Sequence, residues 1–112
     1  ATAVNGGVVQ QIDGLTPGDL RELALAIRNV SGIRAVVLAG VTDTGGVAIA
    51  AATTPSVSVS AGSLIATAAK AVGGGGGGKG DIATAGGKNA AGLPEAISLA
   101  GACVQEALGA SL

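Results

Sequence analysis

Gly73-Gly74-Gly75-Gly76-Gly77-Gly78-Lys79-Gly80-Asp81-Ile82-Ala83-Thr84-Ala85-Gly86-Gly87-Lys88 is the stretch on which the reading of this chain turns. Six consecutive glycines predict an irregular connection, because glycine loses more backbone freedom on ordering than any other residue. Ile82 to Ala85 reads as a short strand closed by Gly86-Gly87. A helix precedes the run, capped by Ser60 and reaching Val72, with Leu64, Ile65, Ala68 and Val72 on one face. Another follows it, opened by Pro94, with Ile97, Ala100, Val104 and Leu108 on one side.

Three physical readings of the stretch compete. Gly73 to Lys79 fits G-x-x-x-x-G-K by letter, but Gly80 stands where a nucleotide-hydrolase loop needs Ser or Thr for magnesium. The order helix, loop, strand is also the reverse of what that loop requires. Six glycines can also be a slack connector, although connections in compact domains are usually short and the sequel Gly86-Gly87-Lys88 would then be superfluous. In the third reading, Gly73, Gly74, Gly75, Gly76, Gly77, Gly78, Gly86 and Gly87 bare their amides to an anion, with Lys79 and Lys88 adding charge. Three lysines face one acid between Lys70 and Lys88, so the segment is locally positive.

Working outward, Val4 to Ile12 reads as a first strand ended by the turn pair Asp13-Gly14. Thr16 as N-cap, Pro17 in the first turn and Asp19 just inside it start a helix. Leu20, Leu23, Ala24, Ile27 and Val30 form its apolar stripe, and Gly32 is its expected left-handed cap. Ala35 to Val41 and Val47 to Thr54 read as a hairpin about the turn Asp43-Thr44-Gly45-Gly46. Pro55 ends the second of these strands, and Val57 to Ser60 reads as extended or irregular. The expected fold is α/β in one domain, residues 1–112: a mixed sheet of about four strands covered by three helices.

Composition narrows the function. The 112 residues are 48% apolar but contain no Phe, Trp, Tyr or Met, so the core must pack tightly to compensate for small side chains. Without His, the commonest general base is missing, and the lone Cys103 allows neither an intrachain disulfide nor a cysteine zinc site. No catalytic or metal residues are assigned. Without aromatic rings, bases cannot stack on the protein, so a nucleic acid would be held by backbone and shape. The net charge of −1 makes such binding weak or local to a patch. The apolar runs are too interrupted to span a bilayer, and no signal peptide is visible.

The run GGGGGGKGDIATAGGK, followed by Asn89 and Leu93-Pro94-Glu95-Ala96, closely resembles the C-terminal globular domain of alanyl-tRNA synthetase. That family shows a polyglycine run, a basic residue, a segment like PDMAQAGG and a final amphipathic helix. Gly80, Ile82 and Thr84 stand where Pro, Met and Gln are usual. The resemblance implies a DHHA1-like fold and a fragment of a longer, cytoplasmic chain. It implies that tRNA is the partner, held at its outer corner beside upstream domains of the same chain; a homodimer is a further arrangement suggested by the near-neutral charge and thin core. Aminoacylation and editing would belong to those upstream domains, which would use ATP, magnesium and, as an option, zinc; this domain would need no cofactor. The same fold serves as an accessory domain of DHH-type phosphoesterases, where His usually follows the glycines; Lys79 here favours the synthetase branch.

The other polar residues have plainer readings. Arg34 precedes a buried strand, either as a solvated residue or as one reaching the partner. Arg21 and Arg28 suit a solvated helix face beside Asp19 and Glu22. Cys103 reads as a small hydrophobe. The alternative to RNA binding is a structural or oligomerisation module.

Overall fold

A computed structural model describes residues 2–4, 7–30, 33–42, 45–54, 61–77 and 82–110. The strands are β1 (Thr2–Val4), β2 (Gly7–Gln11), β3 (Ala35–Val41), β4 (Val47–Thr53), β5 (Gly75–Gly77) and β6 (Ile82–Gly87). The helices are α1 (Pro17–Arg28), α2 (Ala61–Ala71) and α3 (Leu93–Ala110), the last entered through a 3-10 turn at Ala90–Gly92.

The predicted class holds, with a sheet of six strands rather than about four, in the order β1-β2-β3-β4-β6-β5. Both additional strands are three residues long and lie at the two margins. The expected strand Val4 to Ile12 is in fact a hairpin, with Val4 opposite Gly7 and Asn5-Gly6 between them. β2 and β3 run parallel across α1, and every other pairing is antiparallel, which makes the sheet mixed.

Thr16 caps α1 as its position predicts: the Asp19 amide donates to the Thr16 hydroxyl at 3.1 Å. The Asp13 carboxylate ties β2 to β3 by accepting from the Val41 amide at 3.0 Å. Gly14 turns the chain toward α1 with φ at 89°. Gly40 lets the strands approach, because a Cβ there would fall on the Ile12 carbonyl. At the β3–β4 turn the Thr42 amide donates to Gly46 at 2.7 Å. The expected caps Ser60 and Gly32, the strand stop Pro55, the segment to Ser60 and the turn residues Asp43-Thr44 lie outside the described residues.

β3 and β4 are buried on both faces, which explains their unbroken apolar sequences. On one face Leu20 and Ala24 of α1 meet Val36, Leu38, Ala48, Ala50 and Ala52. On the other, Ile65, Ala68 and Val72 with Leu93, Ala96, Ala100 and Val104 meet Val37, Ile49, Ala51 and Ala83. Alanines at 48, 50, 51 and 52 of β4, all at most 2% exposed, let the layers close without large side chains.

Candidate nucleic-acid interface

Gly73 to Gly77 take regular structure, contrary to the sequence expectation, and the first of them have structural work. Gly73 adopts φ of 70° just past α2. Its amide donates to Lys70 at 3.1 Å and the Gly74 amide to Ala69 at 3.0 Å. Those two bonds form a Schellman cap, in which only glycine takes the left-handed position without steric cost. A Cβ on Gly74 would fall on the Gly86 carbonyl. Gly75, Gly76 and Gly77 then pair with Gly86, Ala85 and Thr84 as the marginal strand β5. Backbone pairing within the sheet supplies what the missing side chains do not.

Gly86 and Gly87 also differ from expectation, since they continue β6 instead of closing it. A Cβ on Gly87 would collide with the Val72 carbonyl, and one on Gly86 would meet the Val47 carbonyl at 3.3 Å. The end of α2 thus rests directly on β6. The Asn89 amide continues this seam by donating to the Val72 carbonyl at 2.9 Å. Gly92 completes it, because a Cβ there would fall on the Ala71 carbonyl.

Strand alternation places the two faces of β6 in different surroundings. Ala83 and Ala85 pack into the core under α2 and α3. Ile82, Thr84 and Gly86 therefore lie on the α1 side, yet α1 packs over β3 and β4 and its core cluster includes no residue of β6. Thr84 is exposed there, and Gly77 and Gly75 stand opposite Thr84 and Gly86. Among the described residues α1 reaches only the border of this face at β6, and no helix packs over the same face of β5. The result is a floor at backbone level, carrying a hydroxyl and few side chains. Sequence reasoning missed Ile82 and Thr84 as its lining; the alternation of Ile82, Thr84 and Gly86 against Ala83 and Ala85 is the signal that marks them.

Lys88 is exposed just beyond β6. Gly78 and Lys79 lie outside the described residues, in the four-residue connection that leaves β5 at Gly77 and returns at Ile82. Six residues of extended chain, about 20 Å, separate Ile82 from Lys88. The expectation of an anion held by Lys79 and Lys88 with the eight glycines rests in part on residues outside the described ones. Peptide groups in a ladder point along the sheet toward the neighbouring strand, so the β5 and β6 amides engaged in pairing are turned away from an anion above the floor.

Among the described residues no group of His, Cys, Asp and Glu could hold a metal ion, and no helix is long and apolar enough to cross a membrane. Cys103 is half-buried against the α2–α3 core, as a small hydrophobe would be.

Comparison with known proteins gives the surface a context. The family model of the DHHA1 domain matches residues 5–106. The chain belongs to the DHHA1 domain family. Among solved structures, this DHHA1 domain is similar to the C-Ala domain of alanyl-tRNA synthetase from Aquifex aeolicus. The two share 28% identity and superpose with a TM-score of 0.74, over 91% of this chain and 89% of that one. Comparison with curated proteins finds no match. The resemblance carried by the glycine motif is borne out by both the family model and the structural likeness.

Proposed function

We propose that this DHHA1 domain is the tRNA-binding C-terminal domain of a cytoplasmic alanyl-tRNA synthetase. It would hold the RNA backbone at the outer corner while upstream domains of the same chain carry out aminoacylation and editing. The observation that carries the reading is the likeness to the C-Ala domain over nearly the whole of both chains. The uncovered floor of β5 and β6 supports it independently. A surface with no aromatic ring and few side chains suits contact by shape and phosphate, not base reading. The domain takes part in no bond-making step and needs no cofactor. Its work is positioning.

The test is a titration of tRNA with this 112-residue domain across a series of salt concentrations. Binding that weakens linearly in log–log form as salt rises is expected for phosphate contacts. Binding indifferent to salt, or none at the lowest salt, rejects the proposal. Sedimentation at several concentrations serves the competing structural reading: a tight dimer without RNA affinity would replace this function with oligomerisation.

A further inference from the structure

Backbone direction in β4 shows which way α1 faces. The Thr54 amide donates to the Arg34 carbonyl at 2.8 Å, and the Thr42 amide donates to the Gly46 carbonyl at 2.7 Å. Even-numbered residues of β4 therefore direct their backbone groups toward β3, and odd-numbered ones toward β6, as antiparallel pairing alternates. The Thr53 carbonyl thus points to the β6 side, and it accepts from the Arg28 guanidinium at 3.4 Å. The flank of α1 that carries Arg28 is the one beside the uncovered floor. Arg21 lies seven positions earlier, almost two full turns, and shares that flank with Arg28 and Leu25. Leu25 is half-buried against the core beneath α1.

The helix also sets the level at which Arg21 stands. α1 crosses between the parallel strands β2 and β3, so it runs in the direction of β4. Arg21 is about 10 Å along the helix axis from Arg28. Three residues of strand, also about 10 Å, lead back from Thr53 to Ala50. The β6 partner of Ala50 is Thr84, the exposed hydroxyl of the floor. The Arg21 side chain is 45% exposed, and its 3.8 Å contact with Glu22 is a long surface pair that contributes little. Asp19 is on the opposite flank, because two helical positions turn it about 200° from Arg21. α3, which carries Glu95 and Glu106, packs on the other face of the sheet.

We infer that α1 forms the wall, and β6 with β5 the floor, of a trough for a phosphodiester backbone, and that Arg21 is its phosphate-contacting residue at the level of Thr84. This rests on the RNA-binding reading and deepens it. The planar fork of Arg21 matches a phosphate in two-point contact, and leaving a long, solvated pair with Glu22 costs little. The sequence presents Arg21 as part of a solvated helix face; the bare sheet beside that face gives it a ligand.

The test compares the domain with its Arg21→Gln, Arg21→Lys and Glu22→Gln variants in tRNA binding across salt, with far-UV circular dichroism to establish that each is folded. Arg21→Gln is expected to weaken binding about threefold or more and to lower the salt slope by about 1. Arg21→Lys should retain most of the slope, because the charge remains. Glu22→Gln should bind at least as tightly as the parent, because it removes both a competing partner and a repelling charge. If Arg21→Gln binds as the parent does, the assignment is overturned while the RNA-binding reading stands. If Arg21→Gln and Glu22→Gln weaken binding alike, the ion pair and not a phosphate contact is what matters, and the assignment is again overturned. The same holds if Arg21→Gln weakens binding with the slope unaltered. If the unmodified domain binds no RNA, both readings fall together.

Discussion

The backbone of Gly87 lies against the carbonyl of Val72, so closely that a single methyl group between them has no room. The last turn of α2 is set directly onto β6 at this point, and the Asn89 amide fastens it from the other side. The position of the uncovered floor depends on this seam, because it fixes where β5 and β6 leave the helix that supports them.

Gly87→Ala is therefore expected to destabilise the domain by about 1–3 kcal/mol, the usual cost of overpacking. Chemical unfolding followed by far-UV circular dichroism measures it, since no aromatic side chain is present to report by fluorescence. An unchanged midpoint would mean that α2 shifts freely over β6.

Gly73 and Gly101 make an opposed pair. Gly73→Ala forces a Cβ into the left-handed region and should cost about 1–2 kcal/mol. Gly101 lies inside α3 with open space where a Cβ would stand, so Gly101→Ala should stabilise by about 0.5–1 kcal/mol. Thermal melts of the two variants should move in opposite directions.

Thr16→Ala removes the hydroxyl that accepts from the Asp19 amide. A loss of about 1 kcal/mol is expected, from the unsatisfied first turn of α1. Thr16→Ser should recover most of it, and equal stability of all three proteins would discount the cap.

On the floor itself, Thr84→Glu places a negative charge among the glycines without burying it. Binding of tRNA should weaken tenfold or more, about 1.4 kcal/mol, while the unfolding midpoint holds. Thr84→Asn, of similar polarity and no charge, should bind nearly as the parent does. Full affinity in the glutamate variant would move the RNA to another surface.

Much of the fold was legible because local signals agreed. Thr16, Pro17 and Asp19 announced α1, and the apolar runs of β3 and β4 announced a hairpin. The β1–β2 hairpin was missed although Asn5-Gly6 is the pair best suited to a two-residue turn. The apolar content of Val4, Val8 and Val9 runs across that turn and masks it. Glycine composition was read as conformational freedom, yet Gly74 and Gly87 are glycines because another backbone occupies the space of a side chain. That reason lies in partners distant along the chain and is invisible to any local window. The family resemblance came from the same motif, and that likeness is borne out.

The row of alanines along β4 has one more effect. A methyl side chain has no rotamers to surrender, so burying Ala48, Ala50, Ala51 and Ala52 costs the chain none of the rotational freedom that leucine or methionine would lose. An interior that gains little from bulk is thereby spared much of the disorder that folding must overcome.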